Sequence, residues 1–225
     1  MRHPVVPHVL RTVFWALVLV VIGSPESALT IAFTAVASGA LFLACFAFFH
    51  DAAHGSLGLS RRVNDALLFV LSAPLFMATH AQRQLHLRHH ARPLERDDVE
   101  GVAARLSFLH ALVAAPLLAG AAVSEGVRAV PSRLRPLVVV ELAAVIALAC
   151  VAIAMPVSAL AVYVAVACVL QLSMAFWASH IPHNPPALVR VVARRLASLG
   201  SPAVLSLAFH LEHHARPRVP CAKLG

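Results

Sequence analysis

The sequence predicts an all-α integral membrane protein, a single domain over residues 1–225, and three observations predict it. Hydrophobic residues make up 60% of the chain and charged ones only 12%, against about half and a quarter in soluble domains. Apolar runs recur as far as Trp177 rather than stopping after one leader-like segment. No polar stretch between them is long enough to fold separately.

A crossing helix needs about 20 apolar residues. Residues 9–22, slightly short, and 29–49 are joined by Gly23-Ser24-Pro25-Glu26; residues 137–154 and 157–178 are joined by Met155-Pro156. Neither turn holds Lys or Arg, so each reads as the tip of a helical hairpin. The cations lie elsewhere. Arg2 precedes the first hairpin and Arg11 stands at its very start, and a run from Arg61 to Arg96 follows it. Arg128, Arg133 and Arg135 precede the second, and Arg190, Arg194, Arg195, Arg216, Arg218 and Lys223 follow it. The positive-inside rule then places both termini and the long connections in the cytoplasm, with the bare turns outside, as in a multi-pass protein of the inner membrane.

Two apolar runs remain. Only 31 residues separate His54 from His86, fewer than the roughly 40 that two crossings require. Residues 66–79, broken by Pro74, are therefore expected to dip into or lie on the cytoplasmic leaflet. Residues 102–123 are long enough to span, but basic clusters on both sides and the parity needed downstream favour a cytoplasmic interfacial helix. The expected architecture is four transmembrane helices as two hairpins, plus cytoplasmic interfacial helices.

Fourteen histidines are the anomaly of the composition. His50 and His54 stand four apart where the second crossing ends, a spacing that puts both on one helix face. "HLRHH" adds His86, His89 and His90, and "HLEHH" adds His210, His213 and His214. Eight imidazoles thus come from three segments at one membrane depth, and that pattern points to metal. Neutral imidazole suits Fe, Zn, Cu and Ni. A structural zinc saturates at four ligands and haem uses one or two, so this donor set implies two metals or two sites. The cysteines, Cys45, Cys150, Cys168 and Cys221, form no C-x-x-C pair, and three lie in apolar segments. A metal transporter, the rival reading, would place ionisable ligands near the middle of its crossings; among residues 29–49, 137–154 and 157–178 only Glu141 stands out, besides cysteines and Tyr163. Nucleic acid is not an expected partner, since the basic residues ring apolar segments and lack interleaved aromatics.

"HDAAHGS", "HLRHH" and "HLEHHARPRVP" resemble, in order, the three histidine boxes of the membrane fatty acid desaturase and hydroxylase superfamily, which includes the carotenoid ketolases and hydroxylases. The resemblance runs from about residue 42 to the C-terminus. It implies a centre of two Fe ions on the cytoplasmic face, using O2 as co-substrate and two electrons from a donor protein to attack an unactivated C–H bond. By motif match, His50, His54, His86, His89, His90, His210, His213 and His214 would be the iron ligands. In "FWASHIPHNPP", which offers His180, His183 and Asn184, His183 is the preferred extra ligand because the stretch is similar to an "LPH" segment of carotenoid ketolases. His3, His8, His80 and His110 read as interfacial or structural. Asp51, Asp97, Asp98 and Glu212 lie near the boxes; Asp51 and Glu212, inside them, match family acids and are favoured to orient ligand rings.

The resemblance also sets expectations for partners. The substrate would be a lipid, an acyl chain or a carotenoid, reached from the membrane. The chain shows no electron carrier of its own, so an external donor such as ferredoxin or a cytochrome/reductase is expected, with the arginine-rich face attracting an acidic one. The modest length and "HIPH" lean toward carotenoid ketolases, whereas "HLRHHARPLERDD" is similar to desaturase second boxes as much as to ketolase ones. Acyl-lipid desaturation is the preferred expectation.

Overall fold

The computed structural model describes residues 3–156, 158–196, 204 and 208–224, and every described element is helical. Arg2 and Val157, used above for topology and for the start of the last crossing, lie outside the described residues. Helices α1 (Val5–Ile22) and α2 (Ala28–Ala53) form the first hairpin. Gly23 closes α1 at φ 65°, a conformation that glycine adopts without strain. Ser27 opens α2 through a reciprocal capping box with Thr30. Helix α6 (Arg135–Ala154) turns into α7 (Ala159–Leu172) at Met155, and the amide of Ala159 donates to the carbonyl of Gly23 at 2.8 Å. The two cation-free turns therefore touch, while the first histidine pair sits at the opposite end of α2.

Between the hairpins, α3 (Arg61–Leu75) and α4 (Thr79–Ala91) meet at 103°. Pro74 ends α3, and Phe76 takes a left-handed φ of 53°. Tyr163 of α7 donates to the Pro74 carbonyl, and the Gln171 side chain to that of Leu75. Such a break is that of a broken span or of a re-entrant segment. Phe42, Phe48, Phe49 and Leu57 pack with Leu68, Leu71 and Leu75 of α3 and Tyr163 and Ala167 of α7 into the main core. Outward-facing Val20, Val21, Leu29 and Ile153 are at least three-quarters exposed, as befits surfaces meeting lipid rather than water.

Four helical stretches are long and apolar enough to cross a membrane: Val5–Ile22, Ala28–Ala53, Phe108–Ala129 and Ser132–Ala154. Four unbroken stretches match the expected number, which rises to as many as six if each of two bent helix pairs counts as one span, and the membership differs. The apolar run at 102–123 begins its helix, α5 (Phe108–Ala129), only after a turn at Ala103–Arg105, because Ser107 provides the N-cap; the helix then has the length of a crossing. It packs along α4. Gly126 lies so close to the Ala81 backbone that an added Cβ would come within 3.1 Å of the carbonyl oxygen, and Arg88 pairs with Glu125 at 3.0 Å. The last expected crossing is broken instead. Helix α7 has 14 residues and bends by 55° into a π-helical turn, Ala175–His180, and the short α8, Ile181–His183. An amphipathic α9 (Ala187–Leu196) and α10 (His210–Ala215) complete the described helices.

Candidate metal centre

The end of α2, the last turns of α4, α8 and α10 bring nine histidines together. His50, His54, His86, His90 and His213 form one group, and His89, His183, His210 and His214 a second, with the ligand atoms of each group within 4.8 Å of one another. All nine residues singled out from the sequence lie in these groups. The helical spacing explains the division: His86 and His90, four apart on α4, turn to the first group, whereas His89 between them turns to the second. The groups adjoin, since the His90 and His214 rings stack at 4.2 Å.

Within the groups the Nε2 atoms converge. His54 to His86 is 3.0 Å, and His213 is 3.2 Å from both His54 and His90. In the second group His183 is 3.3 Å from His89 and 3.1 Å from His210, which is 3.1 Å from His214. Two nitrogens each about 2.0–2.1 Å from one metal, at bond angles between 90° and the tetrahedral value, stand about 2.9–3.4 Å apart. The observed spacings match that requirement.

Ring chemistry points the same way. Burial, then repulsion from neighbouring rings, pushes the pKa of His214 down to about 3 and that of His213 to about 2, so these rings are neutral near pH 7. Neutral imidazole is the ligand form. Lone pairs aimed at one another across 3 Å repel unless a proton or a cation lies between them.

The opposite ring nitrogens are held from behind. His86 Nδ1 lies 2.7 Å from Glu100, and His89 Nδ1 2.7 Å from Asp98. Burial raises the pKa of both carboxyls, but the facing imidazoles more than offset it, leaving both below the ordinary range and ionised. A carboxylate that takes the Nδ1–H fixes the tautomer, turns Nε2 to the metal and raises its basicity. Asp98 is itself fixed by the amides of Leu94 at 2.8 Å and Gly101 at 3.0 Å. A methyl group at Gly101 would run into the Asp98 oxygen that faces His89. Gly101→Ala is accordingly expected to weaken metal binding by the second group about 10–100-fold, read by chelator competition; an unchanged affinity would contradict this role for the loop.

The favoured carboxylates need correction. Glu212 is exposed on α10, whose buried residue is His213. Asp51 is 1% exposed, but its oxygens take the His8 ring at 2.9 Å and the Cys221 amide at 3.0 and 3.1 Å, and the nearest is 3.8 Å from His50 Nδ1, beyond hydrogen-bond reach. Asp97 faces solvent. Glu100 was not anticipated: it stands ten residues past its box, at the end of a run of acids that the sequence alone does not rank. Of the three candidates after α7, His183 joins the second group, while His180 and Asn184 donate to the carbonyls of Ala103 and Ala104. His8, His80 and His110 pair with Asp51, Glu141 and Ser107, and His3 is exposed.

Beside the histidines opens a cleft whose apolar walls include Leu43, Phe46 and Phe49 of α2, Leu118 of α5 and Trp177 of the π turn. Its polar lining includes His50 and His86 of the first group and His89 and His210 of the second. The fatty acid desaturase family model matches residues 27–225. The chain belongs to the fatty acid desaturase family. No curated protein and no solved structure matches it. Membership in the desaturase family makes the protein an oxidoreductase of the membrane, and the two groups are of a kind that can hold the metal on which such desaturases typically depend.

Proposed function

We propose that this protein is an O2-dependent, di-iron oxidoreductase that acts on a lipid C–H bond, a fatty acyl-lipid desaturase. The observation that carries the reading is the cleft, an apolar channel lined at one part by rings of both histidine groups. His50, His54, His86, His90 and His213 would hold one iron, and His89, His183, His210 and His214 the other. When bound, the two irons supply O2 activation and the oxidising power to remove hydrogen from an unactivated carbon.

The rest is the work of the chain. Asp98 and Glu100 retain the Nδ1 protons of His89 and His86, so both rings keep Nε2 for metal. Leu43, Phe46, Leu118 and Trp177 exclude water and lay an acyl chain beside the rings, since apolar walls orient a substrate that offers no polar handle. Loss of two hydrogens from adjacent carbons gives the double bond, with electrons delivered by an external donor such as ferredoxin or a cytochrome/reductase. In this reading the histidine face is cytoplasmic, in the inner membrane, and the touching turns lie outside.

A second reading, carotenoid ketolase or hydroxylase, draws support from His183 of "HIPH", which stands in the second group. Expression in a host making both fatty acids and β-carotene separates the two. New unsaturated acids are expected, and keto- or hydroxycarotenoids with unchanged acids would favour the second reading. A chain that retains iron yet yields neither would sink both and revive metal transport.

A further inference from the structure

His50 is backed differently from His86 and His89. Its Nδ1 faces sulfur: Cys221 Sγ lies 3.3 Å away, and Cys221 is fully buried. The Cys221 amide donates to both oxygens of Asp51, at 3.0 and 3.1 Å. Asp51 also meets His8 Nε2 at 2.9 Å, and the His8 ring stacks on Phe48 at 4.8 Å. One buried carboxylate therefore ties α1, α2 and the C-terminal turn Cys221–Lys223 together. That knot sets the sulfur against the back of a ring in the first group.

A neutral imidazole carries one N–H. For Nε2 of His50 to offer its lone pair to the first group, Nδ1 must hold the proton and needs an acceptor. Asp51 at 3.8 Å is out of reach. Among the described residues the sulfur is the acceptor at hand, a weak one, so its placement depends on the Asp51–His8 tie.

We propose that Cys221 is a positioning residue of the metal centre: its sulfur accepts the His50 Nδ1–H and holds that ring with Nε2 toward His54, His86, His90 and His213. The role rests on the metal-binding part of the proposed function, not on which lipid is oxidised.

The test uses the full-length protein in detergent, loaded with Co(II) and titrated with a chelator while visible absorption is followed. In Cys221→Ala one of two cobalt equivalents is expected to bind about 10-fold or more weakly, with altered ligand-field bands. Cys221→Ser, which keeps an acceptor in place, is expected to recover most of that affinity, and both variants should melt like wild type when metal-free. Wild-type affinity and spectrum in Cys221→Ala would overturn the proposal. So would equal losses in both variants with a lowered metal-free melting temperature, which would mark a packing residue only. A wild-type chain that takes up two cobalts but oxidises no lipid leaves the role of Cys221 standing and removes the proposed reaction; one that binds no cobalt overturns both.

Discussion

His213→Ala and His89→Ala, one from each histidine group, are each expected to reduce lipid oxidation to background and to halve the metal content. His213 is 1% exposed, and its Nε2 is 3.2 Å from those of both His54 and His90, while its ring lies 4.3 Å from that of His50. Its loss removes the nitrogen around which the first group closes. His89 enters the second group with its Nδ1 held by Asp98 behind and its Nε2 3.3 Å from that of His183 in front. Enzymes accelerate difficult reactions by about 10⁶-fold or more, and if the metal pair supplies the reactivity, half a pair supplies none of it. Iron per chain by elemental analysis and lipid products by mass spectrometry measure both effects. Full product from either variant would remove that residue from the ligand set.

What the sequence made legible follows its periodicities. Spacings of three and four within "HLRHH" and "HLEHH" survive directly as helix faces in α4 and α10, so the placement of these histidines is legible in the sequence. The two hairpin turns were legible for the same local reason, a short proline-containing break without cations between apolar runs. Partners set by tertiary packing were not. Glu100 and Cys221 reach ring nitrogens of α4 and α2 across chain separations of 14 and 171 residues, and no local pattern encodes such a meeting. Glu212 was favoured for its place inside a box, but on α10 the helical turn that buries His213 leaves it exposed. The break in α7 was hidden because a π turn changes hydrogen bonding without interrupting apolar composition.

Glu141→Ala is expected to produce the largest loss of stability outside the histidine groups. Glu141 is fully buried on α6, within an apolar stretch long enough to cross a membrane, where a carboxyl group is costly unless partnered. Its partners are the first two residues of α4. Oε1 lies 2.7 Å from Thr79 Oγ1 and 2.6 Å from His80 Nδ1, and Oε2 accepts from the His80 amide at 3.3 Å. The first amides of a helix have no acceptor within it, and α4 shows no side-chain cap of its own. A carboxylate delivered from α6 fills that need, anchoring the start of the helix that carries His86, His89 and His90. Removing it leaves the His80 ring and amide without an acceptor in a buried site, a loss of about 1–3 kcal/mol for each unsatisfied group. Glu141→Gln keeps an oxygen for Thr79 and the His80 ring but loses the second acceptor, so about 1–2 kcal/mol is expected. Thermal melts in detergent should rank wild type above Glu141→Gln and Glu141→Ala lowest, with metal retention following the same order. If Glu141→Ala melts and holds metal like wild type, α6 does not set the position of α4, and the anchor of the second box must lie in its packing against α5 instead.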